Sequence, residues 1–128
     1  MKLHSLAFAL TAVLISNNCI AVGEIKESSW LIGTWTLCED PDNSPKDSLQ
    51  FNQDGSGLLI RAKGNVEFLH KYTAEQVHLL ANANGRAIPI EFAVSADHDK
   101  LLLHSDKTGN TSTYVRTDSK LVKQCTLK

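Results

Sequence analysis

The chain lacks most of the features that name a function. Its 128 residues hold three cysteines, three prolines, one methionine and two tryptophans, and aromatic residues make up only 6%. The main apolar run, residues 6–15, falls well short of the roughly twenty residues that a membrane-spanning helix needs. Neither sign of charge dominates: 13 basic and 14 acidic residues are scattered along the chain. With no basic cluster to follow a phosphate backbone, nucleic acid is not an expected partner. Metal-ligand spacings such as His-x-x-x-His, the Gly-x-Ser-x-Gly elbow and a phosphate-cradling glycine loop are all missing. The expectation is therefore a protein that is not an enzyme and that uses no metal or cofactor.

What is present begins with a targeting segment. Lys2, the apolar run 6–15 and the small residues Ala21 and Gly23 read as a secretory signal peptide. Cleavage after Ala21 or after Gly23 fits equally, and lipidation at Cys19 is the alternative. The expected organisation is a signal peptide over 1–21 and one domain over 22–128, periplasmic or secreted, with no transmembrane segment in the mature chain. Removing the leader after Ala21 leaves two cysteines, Cys38 and Cys125. An even count in an exported chain argues for a disulfide between them. A loop that long gives an upper figure of about 4 to 5 kcal/mol from chain entropy.

Beyond the leader the hydrophobic period is two, not 3.6. At 42% hydrophobic and 21% charged, the composition is that of one small globular domain. The stretch Ser29–Cys38 opens the mature domain as a first strand. Alternating segments over 48–52, 58–63, 66–72, 77–81, 86–95, 101–105 and 111–117 follow it, separated by polar, proline- or glycine-containing turns. Asp54-Gly55 and Asn84-Gly85 are hairpin signals, both expected to place their central residues at positive φ. Pro89 inside one run marks an edge, a strand end or a bulge. Eight short antiparallel strands in sequence are enough to close an up-and-down barrel, although a flattened sandwich or an incompletely closed barrel also fits the pattern.

Three short motifs carry a resemblance. Gly33-Thr34-Trp35 resembles the Gly-x-Trp signature that opens the barrel of lipocalins and their small bacterial lipocalin-like relatives. Phe51-Asn52-Gln53-Asp54-Gly55-Ser56-Gly57 and Tyr114-Val115-Arg116 match later pieces of that pattern in order. The resemblance implies an eight-stranded all-β barrel in which Arg116 of the last strand lies over Trp35 of the first and plugs one end. A guanidinium over an indole contributes roughly 0.5 to 2 kcal/mol. Gly33 would permit a close approach or a bend. The chain is shorter than the usual lipocalin.

Taking the apolar face of each strand as inward gives a candidate ligand-binding interior of Phe51, Ile60, Phe68, His70, Tyr72, Leu79, Ile90, Phe92 and Leu103. The same residues would simply fill a barrel of this size if it has no cavity. His70 is either a hydrogen-bonded core residue or a polar anchor in a pocket. The leading expectation is an exported binding protein for a small hydrophobic molecule. The alternative is a protease inhibitor or toxin-immunity protein acting on a protein target from a filled scaffold, since the chain also resembles bacterial metalloprotease inhibitors. Its contact surface would be residues 24–28 together with the 39–45 loop.

Overall fold

The computed structural model describes residues 30–125. The expected signal peptide, its cleavage sites, Cys19 and residues 24–28 lie outside them. The chain divides between Leu31 and Ile32, and every strand belongs to the second part. The strands are β1 (Gly33–Glu39), β2 (Asp47–Phe51), β3 (Ser56–Arg61), β4 (Val66–Tyr72), β5 (Gln76–Ala83), β6 (Arg86–Val94), β7 (Lys100–His104) and β8 (Thr111–Arg116), followed by a 3₁₀ helix, Lys120–Gln124. Each strand pairs antiparallel with the next, and β8 pairs with β1, closing the barrel. The first strand starts at Gly33, later than expected: Trp30 lies in a 3₁₀ turn and Ile32 in a bend, while Ser29 lies outside the described residues.

The turns follow local chemistry. Asn84 and Gly85 have φ of 56° and 83°, the two left-handed residues that a type I′ hairpin requires. At the β2–β3 turn only Gly55 has positive φ, 92°. Asn52 and Ser56 close a three-residue connection there, with Asn52 N donating to Ser56 O at 2.9 Å. The Asp54 carboxylate accepts from Ser56 N and Oγ at 2.9 and 2.6 Å. An acidic side chain thus does the work that a second left-handed residue does at Asn84.

Register decides which residues face inward. Trp35 stands opposite Leu49 and Arg116, Gly57 opposite Phe51 and Phe68, Phe68 opposite Ala81, and Val77 opposite Phe92. These inward rows bury Trp35, Leu49, Phe51, Val77, Phe92 and Leu101 to 2% exposure or less. A void of ligand size would leave their surfaces open to water, and they are closed. Around these side chains the lumen is filled, as expected when eight strands enclose only enough room for side chains.

Closure has its own machinery. At one end of the barrel the Arg116 guanidinium lies 5.7 Å from the Trp35 ring centre. Its Nη1 donates to Ile32 O at 3.0 Å, and its Nε reaches Asp118 at 3.3 Å. Gly33 sits directly beneath with φ of 128°, and a Cβ there would fall 2.7 Å from Arg116 Nη2. Further along β1 the register against β8 shifts between Leu37 and Glu39. Such a bulge re-aims the side chain it contains, here Cys38, which is bonded to Cys125 across a sequence separation of 87. The 3₁₀ helix that leads to Cys125 packs against β8.

The loosest seam is β6–β7, with register pairs only at Ala93–Leu102 and Val94–Leu101. Val94 N donates to Glu75 O. Counting back from that hydrogen-bonded pair, the Leu80–Pro89 pair is a non-hydrogen-bonded one. The N–H that Pro89 lacks would therefore point toward β7, where this part of β6 has no partner. The proline costs the ladder nothing and blunts a free edge.

The Gly33–Arg116 contact predicts a coupled pair. Gly33→Ala is expected to destabilise the barrel by about 1 to 3 kcal/mol or more, from backbone strain plus collision with the guanidinium. In an Arg116→Ala background the collision is gone and the cost falls. Urea unfolding of the four proteins of the cycle measures both numbers, and additive costs would show that the two positions act independently.

Candidate functional site

The interior comes first, because the apolar faces direct attention there. Phe51, Phe68, His70, Tyr72, Leu79, Ile90, Phe92 and Leu103 all occupy inward register positions. Ile60 does not. It stands opposite Ser48, on the outer face, while Leu59 takes the inward position. The reason is the unbroken apolar run Leu58-Leu59-Ile60, whose parity is set by Gly57 packing under Phe68 and not by alternation. A side chain on Gly57 would collide with the Phe68 ring and the Gln50 carbonyl.

The inward aromatics touch one another rather than a space between them. The Phe51 ring centre is 5.4 Å from that of Phe68 and 5.1 Å from that of His70, and Phe92 is 5.7 Å from Tyr114. His70 Nε2 lies 3.0 Å from the main-chain oxygen of Asn52. That contact requires the proton on Nε2 and locks the β2–β3 turn to β4. Nδ1 is buried and has no hydrogen-bond partner among the described residues. Toward the far end the packing thins: Ile90 and Leu103 are half-buried, and Ile88 is 42% exposed.

That far end carries a polar network. Tyr114 OH donates to Asp47 Oδ1 at 2.8 Å, and Ser112 Oγ donates to Asp40 at 3.0 Å. Asp42 accepts from Thr108 Oγ1 and Asn110 Nδ2 at 2.9 and 2.7 Å, tying the β1–β2 loop to the β7–β8 loop. Burial raises the Asp47 pKa above the usual 3.8, and the charge of Asp40 adds to this, against the opposing effects of Tyr114 and Arg61. Burial also raises the Tyr114 phenol, helped by the Asp47 charge. For Asp40, desolvation pushes upward but is outweighed by hydrogen bonds from Ser44, Ser112 and Asp42, and the net shift is downward.

The remaining histidines are dispersed. His78 reaches Gln76 and lies 4.0 Å from Glu91, and His104 contacts Thr111. His98, half-buried with φ of 58°, joins the β6–β7 turn to Ala74 O at 3.0 Å. Among the described residues no group of three or more His, Cys, Asp or Glu is placed to hold a metal ion.

A concavity of ligand size lies outside the lumen. A groove of about 700 Å³ crosses the outer wall of β3 to β6. One row of its outward residues is Leu58, Glu67, Asn82 and Ala87, and the next is Ser56, Leu69 and Leu80, each row in cross-strand register. Gly57, Phe68 and Ala81 also border it. Gly57 has no side chain and the other two point inward, so the floor is main chain. Leu69 is 63% and Leu80 47% exposed, an apolar cross-strand pair facing water. Of the nine interior candidates only Phe68 borders this groove. Sequence reasoning missed it, and the available signal was an apolar residue at the outward position on three successive strands.

Comparison with protein families, with curated proteins and with solved structures returned no match. The fold is that of an eight-stranded antiparallel closed barrel, compatible with a lipocalin-like protein, and the functional argument rests on the geometry above.

The raised Asp47 pKa has a definite sign. The folded protein binds this proton more tightly than the unfolded chain, so the group's contribution to stability is greatest at low pH and is lost as pH rises through the folded value. Asp47→Asn still accepts from Tyr114 and cannot ionise. Relative to wild type, the variant is expected to gain stability at neutral pH, and the gain should shrink as pH falls toward 3.8. Urea midpoints across that range test this; a gap independent of pH would contradict it.

Proposed function

We propose that this chain is an exported, non-enzymatic binding protein of lipocalin-like type that takes a small hydrophobic molecule on its outer wall and not in its lumen. The observation that carries the reading is the pairing of a filled interior with an outward groove of about 700 Å³. That volume lies within the 300 to 1,000 Å³ usual for small-molecule sites. Leu58, Leu69 and Leu80 supply apolar surface, while main chain and a few polar side chains supply orientation. The lipocalin-like assignment is supported by Arg116 over Trp35 at the closed end and by the order of the three motifs. Export is supported by the signal-like N-terminal sequence and by the Cys38–Cys125 disulfide, a bond that persists in oxidising compartments.

A second reading, contact with a protein target, has one observation in its favour. The β1–β2 loop is tied to the β7–β8 loop and the start of β8 by Asp40 and Asp42 accepting from Ser112, Thr108 and Asn110. A loop held in this way is a pre-ordered surface that loses little entropy on docking.

Calorimetric titration of the purified protein with a medium-chain alkyl ligand separates groove from lumen. Leu80→Asp, on the exposed wall, is expected to abolish saturable binding without unfolding the barrel. Phe92→Leu, inside, should lower stability by about 1 to 2 kcal/mol and leave binding intact. The reverse pattern would return the site to the lumen. No binding in any variant, together with capture of a protein target through the 39–45 loop, would favour the second reading.

A further inference from the structure

The groove has a chemical polarity that narrows its ligand. Among the described residues that border it, Glu67 is the single charged side chain, and no lysine or arginine stands with it. Glu67 is exposed and makes none of the ion pairs found among the described residues. The cations in register with this wall stand in other rows or at inward positions. Lys71 lies two outward rows away opposite His78, Arg61 stands opposite Asp47 with its Nε on Gly64 O, and Arg86 stands opposite Ala83 on the inward face.

The sheet sets the distances. Glu67 and Leu69 are two residues apart on β4 and so point the same way, about 7 Å apart along the strand. Leu69 and Leu80 are direct cross-strand neighbours, with Pro89 beyond Leu80 on β6. The wall therefore presents a carboxylate row and, one pleat away, an apolar row running across three strands. Asn82 follows Ala81, the cross-strand partner of Phe68, on β5, and its Oδ1 accepts from Gly85 N.

Resting on the groove reading above, we infer that the preferred ligand is a small cationic amphiphile, with an ammonium-type head on Glu67 and an aliphatic body along Leu69 and Leu80. A cationic donor makes a charge-assisted hydrogen bond to the carboxylate. A fatty-acid carboxylate of the same length would bring like charges together with no lysine or arginine among the residues that border the groove.

The test uses octylammonium, octanol and octanoate, titrated into the purified protein at low ionic strength and below micelle formation. Octylammonium is expected to bind about three- to tenfold tighter than octanol, with octanoate weakest, and the preference should fade at high salt. Glu67→Gln should bring octylammonium down to the level of octanol and relieve the penalty on octanoate. Equal affinities in the wild type, or an octylammonium affinity unchanged by Glu67→Gln, would overturn the head-group assignment while leaving the groove in place. Binding of all three ligands that survives Leu80→Asp, or no binding of any, would overturn the groove reading itself and this inference with it.

Discussion

The β1–β8 pairing is the constraint on which the rest of this structure depends. Seven consecutive hairpin connections leave two strand edges, and the barrel exists only because those edges meet. Trp35 in register with Arg116 fixes how they meet. The cation–π contact, the hydrogen bond to Ile32 O and the bare Gly33 beneath the guanidinium are parts of one fitting. Once that register is set, every inward row around the barrel follows from it, because a slip of one residue would turn each strand's apolar face to solvent.

A closed barrel filled around its buried aromatic and aliphatic side chains has little interior left there for function. The aromatic cluster of Phe51, Phe68 and His70 is in mutual contact, and the imidazole proton goes to a turn carbonyl. What the fold offers to a partner is its outer wall. There β4 and β5 carry the exposed leucines Leu69 and Leu80, with half-buried Leu58 on β3 beside them. The groove lies away from the β1–β8 seam and its disulfide, so the residues that close the barrel and those that border the groove are different sets, although Phe68 and Ala81 on its border belong to the core. Substitutions on the wall are free to change recognition without passing through stability.

Much of the fold was legible in the sequence because its signals are local. Eight alternating segments, Asn84-Gly85 and the glycine after Asp54 mark strands and turns without knowledge of the tertiary structure. Two things were not legible. Ile60 lies in an apolar run with no alternation, and only the packing of Phe68 over Gly57, two strands meeting, decides that Leu59 and not Ile60 turns inward. The groove was hidden for a related reason. Leu58, Leu69 and Leu80 each look like an unremarkable apolar residue beside its neighbours, and they form a surface only when three strands stand side by side. A binding wall of this kind is written across strands, whereas a sequence is read along them.

The Cys38–Cys125 bond encloses nearly all of the barrel between its two ends. A tension applied through the chain's two termini would load Gly33–Leu37 of β1, which lie outside the loop, and would then cross at Cys38 to Cys125, bypassing the covalent path through β2 to β8. Such a pull would strip the Trp35 part of β1 from β8 first, opening the seam, while the covalent path through the groove residues stays slack until the bond itself is reduced.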